Sequence, residues 1–184
     1  PRSTLFPYTT LFRSTNVAGS DKVYSALTSG EIDLYWEYTG TAWLMHHQND
    51  EPITDSEECY EKAKEADAQK GLVWLDYAPF NNTYTIMMQK GKSEELGIKS
   101  ISELTEYINE NSEGRLIYAG DHEFTARPDG LPALEKTYGF QFEPDNMDTM
   151  DVGIIYKALK ENEVDIAMGH ATDARVEAYD LVSL

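Results

Sequence analysis

From Ser20 to the last residue, short apolar runs of strand length alternate with longer segments whose apolar residues recur at helical spacing. That alternation restricts the chain to the α/β class more firmly than any composition figure does. A helix over 21–29 stops at Gly30, and a strand follows over 32–36, where Ile32, Leu34 and Trp36 alternate with Asp33 and Tyr35. A short helix over 40–47 and a longer one over 54–70, ended by Gly71, lead to a strand over 72–75 and a loop containing Pro79. Residues 84–89 are again strand-like, and from Gly91 the pattern restarts. Ser100 and Glu103 are spaced as a capping box for a helix to about Asn109. A strand over 115–119, a polar loop over 120–127 and a helix from Pro128 toward Tyr138, with Gly139 as its stop, come next. The chain then gives a helix over 151–162, a strand over 164–168, a helix over 173–179 and a strand over 181–184. The rhythm breaks near 84–89 and 169–172, as expected for two lobes joined by crossing strands with a ligand held between them.

Composition excludes several partners. Thirty-three acidic residues against 15 basic ones give a formal charge of −18, which opposes nucleic acid or an anionic membrane surface as the main partner. The single Cys59 cannot form an internal disulfide. No apolar run approaches the roughly 20 residues a membrane helix needs. Residues 4–14, T-L-F-P-Y-T-T-L-F-R-S, resemble the in-frame translation of a DNA-sequencing adapter. Segment 1–14 is therefore set aside as non-native, so the lack of a visible signal peptide carries no information on localisation.

Catalytic signatures are missing: there is no G-x-S-x-G elbow, phosphate loop or dinucleotide fingerprint. His122–Glu123 begins like a zinc motif, but Arg127 stands where its second histidine belongs. His46 and His47 are adjacent and read as surface residues. His170 and Asp173 could form an acid–base couple, yet no nucleophile accompanies them. The tyrosines say more. Tyr38 follows one strand and Tyr84 opens another, and each ring face attracts a cation by about 0.5–2 kcal/mol. A quaternary ammonium has no N–H to donate, so ring faces are its natural host. Arg127 offers a fork for a carboxylate, and Thr41 a hydroxyl donor. Each tyrosine also suits a core position.

The segments S-G-E-I-D-L-Y-W-E-Y-T-G-T (29–41), N-N-T-Y-T-I (81–86), E-F-T-A-R-P-D-G-L-P-A-L (123–134), Y-G-F (138–140) and A-T-D-A-R-V (171–176) occur in this order. From about Asn16 to Leu184 the chain resembles the substrate-binding proteins of glycine betaine/choline ABC transporters. The resemblance implies a two-lobed α/β periplasmic-binding-protein-like fold of type II, truncated at both ends. Lobe 1 would span 15–85, lobe 2 would span 86–169, and 170–184 would return toward lobe 1. It further implies a tyrosine box with Tyr38 and Tyr84 as walls, and Thr41 and Arg127 on the ligand carboxylate. Many relatives carry an aromatic where His170 stands; a neutral imidazole still serves as a wall, whereas a protonated one repels the cation. Implied as well are a non-catalytic, extracytoplasmic receptor without cofactor, a quaternary ammonium ligand and a permease partner. The membrane is reached only through that permease or through an anchor outside this sequence. Glycine betaine leads; choline or carnitine, or a sensing domain fused to a permease or signalling module, are the alternatives.

Overall fold

The computed structural model describes residues 19–111 and 115–184, so the adapter-like segment 1–14 lies outside the described residues. The chain divides into two compact units, 1–37 and 38–184.

In the described part of the first unit, α1 (Ser20–Ser29) ends where expected. Gly30 takes the left-handed conformation at φ 76°, which costs glycine nothing, and its N–H reaches the carbonyls of Ala26 and Leu27. The strand expected over 32–36 does not form, and Trp36 stands 85% exposed. The period-2 pattern is present, but a strand is defined by pairing. No described residue makes a ladder with this backbone.

The second unit opens with α2 (Thr39–Thr41), which continues as a π-helical turn over Ala42–His46. Helix α3 (Ser56–Ala68) is capped by Asp55, whose carboxylate accepts from the Glu58 N–H at 2.8 Å. The strand expected over 72–75 also finds no ladder: Val73 is 83% exposed, while Trp74 is tethered by its indole N–H to Asp67 Oδ2 at 2.7 Å. His47 is not the surface residue its sequence context implied. It packs inward with Nε2 3.0 Å from the buried carboxylate of Asp67, and burial lowers its pKa.

The core belongs to one mixed five-stranded sheet. Strand β1 (Tyr84–Gln89) is followed by α4 (Lys90–Leu96) and α5 (Ile101–Glu110), then β2 (Tyr118–Gly120), α6 (His122–Ala126) and α7 (Leu131–Tyr138). A 3-10 turn leads into β3 (Met147–Thr149), and α8 (Val152–Lys160), β4 (Ile166–His170), α9 (Arg175–Ala178) and β5 (Leu181–Ser183) complete the chain. The strand order is β3-β2-β4-β1-β5. Neighbours β3, β2 and β4 run parallel, while β1 runs antiparallel to both β4 and β5. Ile86, Met87 and Met88 are all buried, as the apolar run of a strand covered on both faces requires. They join Tyr118, Ile155, Tyr156, Leu159, Ile166 and Met168 in a single core.

Local signals held for α5, where Ser100 Oγ accepts from the Glu103 N–H and Glu103 returns the bond to the Lys99 N–H. They failed between 120 and 138. The expected polar loop contains α6, capped by Asp121, whose carboxylate accepts from the Phe124 N–H at 2.7 Å. Pro128 lies in the turn between α6 and α7 rather than inside a helix; it is Pro132 that occupies the first turn of α7. Helix α4 and strand β3 had no counterpart in the sequence reading.

Candidate functional site

Chain direction gathers the candidate residues. Strands β2 and β4 are parallel, so Gly120 and His170 lie toward one end of the sheet, and antiparallel β1 begins at that same end with Tyr84. In register, Tyr84 faces His170. An α/β sheet characteristically holds its ligand at such an end, in the loops beyond the strands.

The loop after β2 supplies Arg127. Asp121 starts α6, and six residues later Arg127 ends it in an extended conformation (φ −72°, ψ 143°), as a residue preceding proline does. Gly130 allows the chain to turn back closely, since a Cβ there would lie 2.2 Å from the Phe124 carbonyl oxygen. The Arg127 side chain is 4% exposed, and its guanidinium is surrounded by acceptors. Its Nε donates to Asp129 Oδ1 at 2.6 Å and Nη2 to Asp129 Oδ2 at 3.1 Å. On the other edge, Nη1 donates to Glu123 Oε1 at 3.2 Å, Thr41 Oγ1 at 3.3 Å and Tyr84 Oη at 3.3 Å. Burial is the largest single influence and opposes the charge, but the hydrogen bonds and charges of Asp129 and Tyr84 together outweigh it, and the Arg127 pKa is raised.

Around Tyr84 the rings cluster. Its centroid is 5.0 Å from His170 and 4.8 Å from Phe124, and the Arg127 guanidinium carbon lies 5.3 Å from it. Burial, together with the charges of Glu123 and Asp121, pushes the phenol up to about 12, so Tyr84 keeps its proton. Burial also lowers the pKa of His170, against the opposing pull of Asp121 and Asp173. That shift favours the neutral imidazole, whose Nδ1 is buried without a hydrogen-bond partner. Its backbone N–H donates to Tyr156 Oη at 2.8 Å, behind which Asp173 and Arg175 form a two-bond ion pair. Asp173 is thereby held down at about 2.

Tyr38 stands at the start of α2, 47% exposed, and its hydroxyl accepts from Asn82 Nδ2 at 3.2 Å. Asn82 in turn accepts from Thr172 Oγ1 at 2.6 Å. Of the five residues singled out from the sequence, Thr41, Tyr84, Arg127 and His170 are joined by hydrogen bonds and ring contacts, while Tyr38 bonds through Asn82 to Thr172. Sequence reasoning gave no role to Glu123, Asp129 or Asn82. Each lay inside a quoted motif, and Glu123 at four residues before Arg127 was legible as a helical ion pair.

A concavity of about 450 Å³ lies toward the opposite end of β4, lined by Lys92, Tyr107, Arg115 and Asn162 among others. It is separate from this neighbourhood.

The profile of the family described as the substrate binding domain of ABC-type glycine betaine transport system matches residues 13–184. The chain belongs to that family. It is 36% identical over 167 residues to a glycine-betaine-binding protein of Pseudomonas aeruginosa, covering 89% of this chain and 53% of that one. It is 37% identical over 169 residues to the glycine betaine-binding protein YehZ of Escherichia coli, covering 88% and 55%. Among solved structures, a glycine betaine/carnitine/choline ABC transporter superposes with a TM-score of 0.59 at 27% identity, covering 92% of this chain and 60% of that chain. The α/β binding-protein fold expected from the sequence is the fold observed. The chain spans about half the length of the curated relatives it matches. Membership is in a family of transport receptors, not of enzymes.

Proposed function

We propose that this chain is the substrate-binding part of an ABC importer for glycine betaine or a related quaternary ammonium compound. The observation that carries the reading is the convergence of Tyr84 and His170 with Arg127 and Thr41 at one end of the sheet, in a chain of this family. Ring faces suit a cation that offers no N–H, and a guanidinium beside hydroxyls suits a carboxylate. The lowered pKa of His170 favours a wall without positive charge.

In this reading Tyr38, Tyr84 and His170 are walls of the cage, while Thr41 and Arg127 address the far end of a zwitterion. Residues 15–85 contribute to one lobe, 86–169 form the second, and 170–184 return toward the first. The receptor works outside the cytoplasm and hands its ligand to a membrane permease. Among the described residues no helix is long and apolar enough to cross a membrane. A choline or carnitine receptor is the variant within the same class. Calorimetric titration of the full-length gene product with glycine betaine, choline and carnitine tests the proposal. Saturable binding of one of them is expected, and no heat with any of the three would overturn it.

A further inference from the structure

We infer that the two carboxylates on Arg127 have different roles: Asp129 fixes the guanidinium, and Glu123 occupies the place that a ligand carboxylate takes. The inference rests on the receptor reading above. Asp129 uses both oxygens, at 2.6 and 3.1 Å, and consumes the Nε–Nη2 edge of Arg127. It stands two residues away, across Pro128, in a turn that the close packing of Gly130 on Phe124 holds tight. Asp129 is therefore a positioning residue.

The opposite edge is weakly committed. Nη1 carries two N–H groups but faces three acceptors, Glu123, Thr41 and Tyr84, all at 3.2–3.3 Å. The hydroxyls of Thr41 and Tyr84 accept from Nη1, which leaves each its own O–H for donation. Both hydroxyls lie 3.3 Å from the same Nη1 that Glu123 reaches at 3.2 Å, so Nη1 and the two O–H groups are the donors available to a carboxylate that takes the place of Glu123. A ligand carboxylate and the Glu123 carboxylate cannot both sit there without like-charge repulsion. Binding of a zwitterion exchanges one for the other, whereas a cation lacking a carboxylate leaves Glu123 in place. Glu123 and Asp129 accordingly shift the choice between glycine betaine and choline in opposite directions.

The test is calorimetry on the full-length gene product carrying Glu123→Gln or Asp129→Asn. The betaine-to-choline affinity ratio is expected to rise about tenfold in the first and fall about tenfold in the second, the scale of one charge-assisted hydrogen bond. Asp129→Glu should recover part of the lost ratio, which a mere folding defect would not allow. Ratios that move in the same direction, or do not move, overturn the inference. Without ligand, proton exchange at Arg127 Nε, followed by nitrogen-15 NMR, should quicken in Asp129→Asn and hold in Glu123→Gln; equal exchange in both variants also overturns it. A wild-type protein that binds neither ligand overturns the receptor reading and the exchange role of Glu123, while the NMR arm still decides the role of Asp129.

Discussion

Tyr84 and His170 sit opposite one another on antiparallel β1 and β4, with ring centroids 5.0 Å apart and planes tilted by 34°. A one-residue slip of register would move one ring to the other face of the sheet. In the observed register the buried residues Ile86, Met87 and Met88 stand opposite Met168, Ala167 and Ile166, and this pairing sets the spacing of two walls in the proposed cage.

Replacing Tyr84 by alanine should weaken glycine betaine binding by at least about 1 kcal/mol, the scale of a desolvated cation–ring contact. Tyr84→Phe keeps the ring and loses only the hydroxyl, so it should lose less. Tyr38→Ala should also weaken binding. Calorimetry showing unchanged affinity in both alanine variants would remove the cage.

Arg127→Ala should cost glycine betaine more than choline, because choline has no carboxylate to hold. It should also cost stability, since truncation removes the cation with which both Asp129 and Glu123 pair. Equal losses of affinity for the two ligands would argue against a carboxylate clamp.

Acid should destabilise the fold in a window set by histidines. Burial is the first cause that lowers the pKa of both His170 and His47 below the ordinary 6.5. The unfolded chain therefore takes up protons before the folded one. Their contribution to stability is complete above about pH 6.5 and is lost as the pH falls through the lower folded values. Asp173, held down at about 2 by its hydrogen bond to Arg175, loses its contribution only as the pH falls from its ordinary 3.8 toward that value. Urea midpoints should thus drop between about pH 7 and pH 5, and His170→Phe should flatten part of the drop. A flat wild-type profile over that range would contradict the buried, neutral state of both rings.

Gly130→Ala should destabilise by about 1–3 kcal/mol, as overpacking does, because the added methyl meets the Phe124 backbone oxygen rather than a side chain that can move. The same shift would displace Arg127, whose Cγ lies 2.7 Å from that methyl position. Denaturant titration measures the first effect, and a parallel fall in betaine affinity the second. A variant as stable as the wild type would mean that the turn yields easily.

What the sequence by itself determined is what its own neighbours can satisfy. Ser100 and Glu103 close a capping box within three residues, and Gly30 and Gly139 end their helices through bonds to the preceding turn. The α/β class was legible in the alternation of strand-length and helical segments, and the family in contiguous motifs such as E-Y-T-G-T and R-P-D-G-L-P. Pairing was not legible. Segments 32–36 and 72–75 have strand-like alternation yet form no ladder among the described residues, since a strand depends on a partner that its own residues do not specify. The short helix α6 was hidden for a related reason: five residues give too few turns for a periodic signal. Tertiary structure alone decided which groups share Arg127. Glu123 and Asp129 are its chain neighbours, but Thr41 comes from 86 residues away and Tyr84 from 43. The sheet brings these distant segments together because its buried strands must pair in one register, and the chemistry at its end follows from that register.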